Sequence, residues 1–240
     1  MSEIIFLDPR DLHPMPNQPR TSMDEAKIKG LEETFRSKGF RGAIIIWYPE
    51  PDYTEIISGH RSWTAFTRIA KALGYAPPWN RIPCAPFHDI SKGKAYELAI
   101  LYNEKREDLT VIELALSWQR LVEEFNYKPA DIAKSFETST ASVYNTISIL
   151  KEPPYILDYL KKGLLTLPDV LGLRRIKDEK QRKHYADKLV SGDIAKSDLP
   201  NIAKRLNRQQ LVLDLIPSLK NDLDAEDSGK APVSRLKIHT

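Results

Sequence analysis

The sequence predicts an α+β segment over roughly the first hundred residues and an all-α segment after it, and three observations carry that expectation. Apolar runs rich in β-branched residues, separated by turn formers, lie between Ala43 and Phe87. Beyond Thr110 the apolar residues recur at helical spacing instead. Within that second part, Lys128 to Lys151 reads as two short helices about a tight turn, the second of them polar on its outer faces.

The elements follow in order. Pro9, Pro14, Pro16 and Pro19 mark an irregular N-terminal arm, after which Glu25 to Lys38 forms an amphipathic helix stopped by Gly39. Ala43–Trp47 and Tyr53–Ile57 predict a hairpin around the turn from Pro49 to Asp52. Ser58-Gly59 leads into a helix over 61–73 that ends at Gly74, then come a strand at Ile82–Phe87 and a helix over 92–102. The seam between the two parts is placed near Asn103 to Thr110, giving segments 1–108, 109–206 and 207–240. The last of these is expected to hold one short helix, with Leu211, Leu213, Leu215 and Ile216, broken by Pro217, and then a polar, flexible tail from Asn221 to Thr240.

The helix-turn-helix is placed at 129–150. Its first helix opens at Pro129, where a missing N–H costs little, and carries Ile132, Ala133 and Phe136 at helical spacing. The turn is Glu137-Thr138-Ser139. Ser139 or Thr140 can cap a second helix whose apolar stripe is Val143, Ile147 and Leu150, stopped by Pro153 and Pro154. That leaves Ser139, Thr140, Ser142, Tyr144, Asn145 and Ser148 as candidate DNA contacts. Short hydroxyl and amide side chains suit base edges and phosphates, whereas an ordinary helical hairpin in a bundle would not need them.

Composition limits the function classes. Hydrophobic residues make up 41% of the 240 and aromatic ones 9%, enough for packed cores. No apolar run approaches the roughly 20 residues that span a bilayer, and Met1-Ser2-Glu3-Ile4 lacks the basic start and apolar core of a signal peptide, so a cytoplasmic protein without a membrane role is expected. Cys84, the only cysteine, allows neither an internal disulfide nor a cysteine-based zinc cluster and is expected in the core. The net charge of +3 is too small to argue for nucleic acid alone. Its distribution is uneven: between Arg174 and Arg208 eleven Lys/Arg face five Asp/Glu. A phosphate-facing surface and a merely solvated helical face account for that equally well.

The order of motifs resembles the ParB family of partition and nucleoid-occlusion proteins, over roughly residues 4 to 205. The family's PNPxQPR arm corresponds to Met15-Pro16-Asn17-Gln18-Pro19-Arg20. Its GERRxRA loop after a strand corresponds to Gly59-His60-Arg61-Ser62-Trp63-Thr64-Ala65. Its ENxxRxDL motif corresponds to Tyr102-Asn103-Glu104-Lys105-Arg106-Glu107-Asp108-Leu109. The helix-turn-helix comes next, and the helical stretch from Ile156 to Leu206 is similar to the family's following segment.

The resemblance implies a ParB/sulfiredoxin-like α+β domain that binds CTP, joined to an all-α helix-turn-helix domain that binds double-stranded DNA. Together the two ligands close a homodimer into a sliding clamp, in the nucleoid or on a plasmid, with a Walker-type ATPase as partner. It assigns nucleotide contacts to Gln18, Arg20, Ser58, Gly59, His60, Arg61, Asn103 and Arg106. Chemistry agrees: a glycine between a strand and a helix lets backbone N–H groups approach phosphate, and Arg pairs with phosphate by a bidentate fork. Asn103 could hold a phosphate or its Mg2+, and His60 is a candidate phosphate donor or pH-sensitive group.

The departures carry information too. His60 replaces the family's Glu, Ser62 and Thr64 two of its Arg, and Tyr102 the Glu associated with Mg2+, so at most weak CTP hydrolysis is expected. Thr140 and Ser148 stand where relatives often carry Arg, which argues for a DNA site other than the usual centromere sequence. Glu137 stands where the turn often has Gly. The chain also begins directly at the fold, without the basic arm that recruits an ATPase in many relatives, and shows no evident C-terminal dimerisation domain. The alternatives are a helix-turn-helix transcriptional regulator with a decayed nucleotide site, and an enzyme, because sulfiredoxin, a free serine kinase and some nucleases share the N-terminal fold. A sulfiredoxin would need a cysteine in the loop, where Ser58-Gly59-His60-Arg61 stands. A kinase or nuclease would draw on Glu55, Glu104, Glu107 and Asp108.

Overall fold

The computed structural model describes residues 3–16, 24–104 and 109–215. They divide into two compact units, Met1–Lys151 and Glu152–Thr240.

In the first unit, strands β1 (Ile5–Leu7), β2 (Leu12–Pro14), β3 (Ile44–Glu50), β4 (Tyr53–Ser58) and β5 (Ile82–Phe87) form one sheet in the order β1-β5-β3-β4-β2. The pairs β1/β5 and β3/β4 are antiparallel, and β3/β5 and β2/β4 are parallel. The hairpin is tighter than the sequence predicts. Pro49 and Glu50 continue β3, Glu50 pairs with Tyr53, and only Pro51 and Asp52 turn, Asp52 at φ 63°. The N-terminal arm, expected to be irregular, contributes β1 and β2, each three residues long and hydrogen-bonded only at an edge of the sheet.

Alternation along β3 and β4 sends side chains to two different cores. On one face Ile44, Ile46, Ile56 and Cys84 pack with Phe66 and Ala70 of α2 (His60–Ala72), and Ile28 and Phe35 of α1 (Glu25–Lys38) cover Ala65 and Ile69 of that helix. Cys84 is fully buried, and burial pushes its thiol up to about 12. On the other face lie Met15, Trp47 and Ile57. Glu55 also points there, 5% exposed, where its Oε2 accepts a 3.2 Å hydrogen bond from Trp47 Nε1. Burial raises its carboxyl pKa.

The second face is covered by helices from both sides of the expected seam. Ala95, Tyr96, Ala99 and Ile100 of α3 (Lys92–Glu104) meet Trp118 and Leu121 of α4 (Val111–Glu123), Ile132, Ala133 and Phe136 in and after α5 (Pro129–Ser135), and Val143 of α6 (Thr140–Ser148) in one cluster. Compact packing therefore does not divide near residue 108. It divides after the 3-10 turn Ile149–Lys151, because α3 and α4 share a core.

A polar tie reinforces this join. Glu97 on α3, 3% exposed, accepts from Lys94 Nζ at 2.8 Å and from Tyr127 Oη at 2.9 Å, and Tyr127 lies just ahead of α5. Burial alone would raise the Glu97 carboxyl, but donation from Lys94, Ser135 and Tyr127 outweighs it and holds the pKa below its ordinary value.

The second unit holds α7 (Pro154–Lys161), α8 (Leu167–Leu173), α9 (Glu179–Ser191) and α10 (Leu199–Leu215) around Ile156, Leu160, Leu165, Val170, Leu173, Ile176, Ala186, Leu199 and Ala203. At Gly172 an added Cβ would lie 2.9 Å from Leu199 Cδ1, so a larger residue there would make the Leu199 side chain shift where α8 meets α10. The single short helix expected after Leu206 is instead the end of α10, which starts at Leu199. Residues 216–240, including Pro217 and the expected tail, lie outside the described residues.

Truncating Glu97 to Ala should lower stability at neutral pH by about 2–4 kcal/mol, because it leaves Tyr127 and Lys94 without their buried acceptor. A folded-state pKa below the unfolded value stabilises above the unfolded pKa and is lost as pH falls through the folded one. The deficit of Glu97→Gln, followed by urea unfolding, should therefore shrink on acidification.

Candidate nucleic-acid interface and phosphate-binding loop

α6 owes its position to the turn before it. Phe136 N–H bonds back to the Ile132 carbonyl, and Glu137 takes the left-handed conformation at φ 51°. This is the geometry a glycine would supply, here adopted by a residue that has a Cβ. Thr138 N–H then reaches the Ala133 carbonyl, and Ser139 caps α6 by accepting from Ser142 N–H at 3.1 Å. The buried side of α6 is Val143, Thr146 and, just beyond it, Ile149, with Ile147 and Leu150 half-buried. Val143 and Ile147 of the predicted stripe do meet the core, and the most deeply buried positions after Val143 are Thr146 and Ile149, each one residue earlier than the stripe's.

Of the six predicted DNA contacts, Ser139, Thr140 and Tyr144 are exposed, Tyr144 at 59%, and Ser142, Asn145 and Ser148 are half-buried. Ser148 Oγ donates to the Asn145 carbonyl at 2.7 Å, which engages that hydroxyl within the helix. Ala141, which the sequence reading does not name, is also exposed beside Thr140. An alanine carries no polar signal to find. Lys128, Lys134 and Lys151, flanking or within the helix-turn-helix, are exposed cations.

The candidate phosphate loop follows β4 directly. Gly59, at φ 104°, is the N-cap of α2, makes no side-chain capping bond, and sits where a Cβ would lie 2.9 Å from Ile44 Cδ1. The first turn of α2 holds His60, Arg61 and Ser62 and no acid, so its positive dipole end is not neutralised by a side chain of that turn. Trp63 Nε1 donates to the Pro9 carbonyl at 2.8 Å and pins this turn to the N-terminal arm. Ser58 is 6% exposed at the end of β4. His60 and Arg61 are half-buried, and burial lowers the His60 pKa to about 4, leaving a neutral imidazole at neutral pH. Asn103 lies near the end of α3, the helix that packs on β4, and its Nδ2 donates to its own helix at Ala99 O, 2.8 Å. Gln18, Arg20, Arg106, Glu107 and Asp108 lie outside the described residues.

In the second unit the basic stretch is partly structural. Arg174 pairs with Glu152, Arg182 Nε donates to the Ile176 carbonyl at 3.0 Å, Arg205 to Tyr185 Oη at 3.2 Å, and Lys196 to the buried Asp169 at 2.6 Å. Arg175, Lys177, Lys180, Lys183, Lys204 and Arg208 remain exposed.

Two family models match this chain: the ParB N-terminal domain over residues 1–74 and the ParB HTH domain over 107–208, together more than two thirds of its length. The chain belongs to the ParB family. Among curated ParB-family relatives, the nucleoid occlusion protein of Bacillus mycoides is 29% identical over 190 residues, and that of Bacillus cereus 28% over the same length. Each alignment takes in 79% of this chain and 62% of the relative, so the chain spans about three fifths of their length. Among solved structures, C-terminally truncated ParB from Caulobacter crescentus, complexed to the centromeric parS site, is similar in fold with a TM-score of 0.63. It is 24% identical, and the match covers 84% of this chain and 99% of that one. No helix among the described residues is long and apolar enough to cross a membrane.

Two outcomes follow. By NMR, His60 should protonate near pH 4. Because the unfolded chain takes up that proton at a higher pH, this group makes stability rise with pH from about 4 to about 6.5. Replacing Glu137 with Gly should remove the left-handed strain and raise stability by about 0.5–1 kcal/mol in chemical denaturation, part of the relief being offset by glycine's unfolded-state entropy.

Proposed function

We propose that this chain is a DNA-binding protein of the partition and nucleoid-occlusion type, switched by CTP. The observation that carries the reading is that one compact unit contains both a glycine-formed phosphate loop and a helix-turn-helix with an exposed polar second helix. Membership of the ParB family and the likeness to nucleoid occlusion proteins support it.

The residues present fit the phosphates of a nucleotide. At Gly59 the absent Cβ keeps the backbone close to β3, and the amides that follow open α2 at its positive end. Arg61 supplies a fork for phosphate oxygens, and neutral His60 can donate one hydrogen bond without adding charge. Gln18, Arg20 and Arg106 complete the proposed set. CTP, when bound, supplies a negative triphosphate and a base whose edge selects it. Position 102 fits Mg2+ poorly, because its side chain is a phenol and not a carboxylate. Weak hydrolysis at most is therefore part of the reading, as is a homodimer.

On the DNA side, α6 enters the major groove. Lys128, Lys134 and Lys151, exposed on the same unit, supply phosphate contacts.

Equilibrium binding of CTP beside ATP, GTP and UTP, with and without a random duplex pool, tests the proposal. CTP-selective binding is expected, and absence of any nucleotide binding with DNA binding retained would overturn the switch. Arg61→Ala should abolish nucleotide binding and spare DNA binding, and Thr140→Ala with Asn145→Ala should do the reverse. Equal loss of both activities in either variant would refute two separate sites.

A further inference from the structure

The recognition helix carries no charged residue from Thr140 to Ser148. Arg and Lys are the side chains that read guanine, through its O6 and N7, and Glu or Asp accept from cytosine N4. α6 has none of these, and the nearest carboxylate, Glu137, lies in the turn outside it.

What α6 presents can be narrowed further. Ser139 is engaged as its cap and Ser148 in a bond to the Asn145 carbonyl. Thr140, Ala141, Ser142, Tyr144 and Asn145 remain, and of these Ser142 is half-buried and its hydroxyl suits either kind of base pair, so it selects neither. Positions four apart lie one above the other on a helix, so Thr140 with Tyr144 and Ala141 with Asn145 make one contiguous patch. It belongs to the N-terminal part of the helix, the part that reaches base edges in this motif. Thr140 and Ala141 offer methyl groups on the exposed surface and Tyr144 an exposed ring. Asn145 offers the paired acceptor and donor that match adenine N6 and N7.

We infer that this patch reads A·T pairs through the thymine methyl and the adenine edge, so that the half-site contacted by α6 is A·T at its core and not G·C. The inference rests on the DNA-binding reading above. Thr140 and Ala141 pack on thymine C5-methyl groups, Asn145 fixes an adenine, and Tyr144 adds apolar contact with its hydroxyl directed to the phosphate side.

The test takes the full chain through selection from random duplexes at low salt. The preferred duplex is then remade with uracil in place of thymine, which removes only the C5-methyl. Enriched sites should carry A·T at the contacted positions, and the uracil duplex should bind about tenfold more weakly or worse. Thr140→Ser, which keeps the hydroxyl and removes the methyl, should lose much of the preference for thymine over uracil while holding its affinity for the uracil duplex. Asn145→Ala should relax selection at one adenine. Enrichment of G·C at the contacted positions would overturn the inference. So would A·T enrichment indifferent to uracil, which would mean that DNA shape is being read instead. In both of those cases the DNA-binding reading stands. Failure to bind any duplex at low salt would remove that reading and the inference with it.

Discussion

Burial of one apolar cluster, from Trp47 and Ile57 on the sheet through Ala99 and Ile100 of α3 and Trp118 of α4 to Ile132 and Val143 of the helix-turn-helix, holds the first unit together. Each of these side chains is at most 4% exposed. The sheet cannot bury its second face without α3, and α5 and α6 are too short to be stable alone. The proposed nucleotide loop and the proposed reading helix are therefore parts of one folding unit. The Glu97–Tyr127 bond adds direction to this packing, because a hydrogen bond with a fixed geometry settles where α5 begins relative to α3.

The second unit uses its charges differently. Lys196 and the Thr166 hydroxyl and amide converge on Asp169 at the start of α8 and hold its carboxyl below the ordinary range against the opposing effect of burial. Arg174, Arg182 and Arg205 are likewise bound to partners within the unit. A count of basic residues along this stretch thus overstates what it can offer to phosphate.

Most of the architecture was legible in the sequence because it rests on local signals. Gly39 and Gly74 end their helices region by region, Pro129 opens α5, and Ser139 caps α6 as expected. What was not legible depends on pairing at a distance. Ile5–Leu7 and Leu12–Pro14 are too short for a periodic pattern and become strands only through β5 and β4. The expected seam lies where the ParB HTH family model begins, at residue 107, whereas the compact unit runs on to Lys151: a change from alternating to helical periodicity marks a change of element type, and the extent of a compact unit depends on which helices share a core. At the candidate phosphate loop the sequence placed Gly59 between a strand and a helix but could not show Ser58 buried, nor His60 desolvated into a neutral group. On α6 it named Thr140 and Tyr144, which are exposed, and passed over Ala141, which is exposed too.

Under the DNA-binding reading proposed above, the uncharged α6 separates two tasks that a single arginine often combines. Attraction to the polyanion then rests on lysines set off the helix, and choice among sequences on methyl groups and an amide that ions do not screen. For such a molecule, rising ionic strength shortens every residence on DNA, cognate or not, by a similar factor, and leaves the ratio between right and wrong addresses nearly constant. Search speed and addressing accuracy can then drift independently, one through the number of surrounding cations and the other through four small or uncharged side chains.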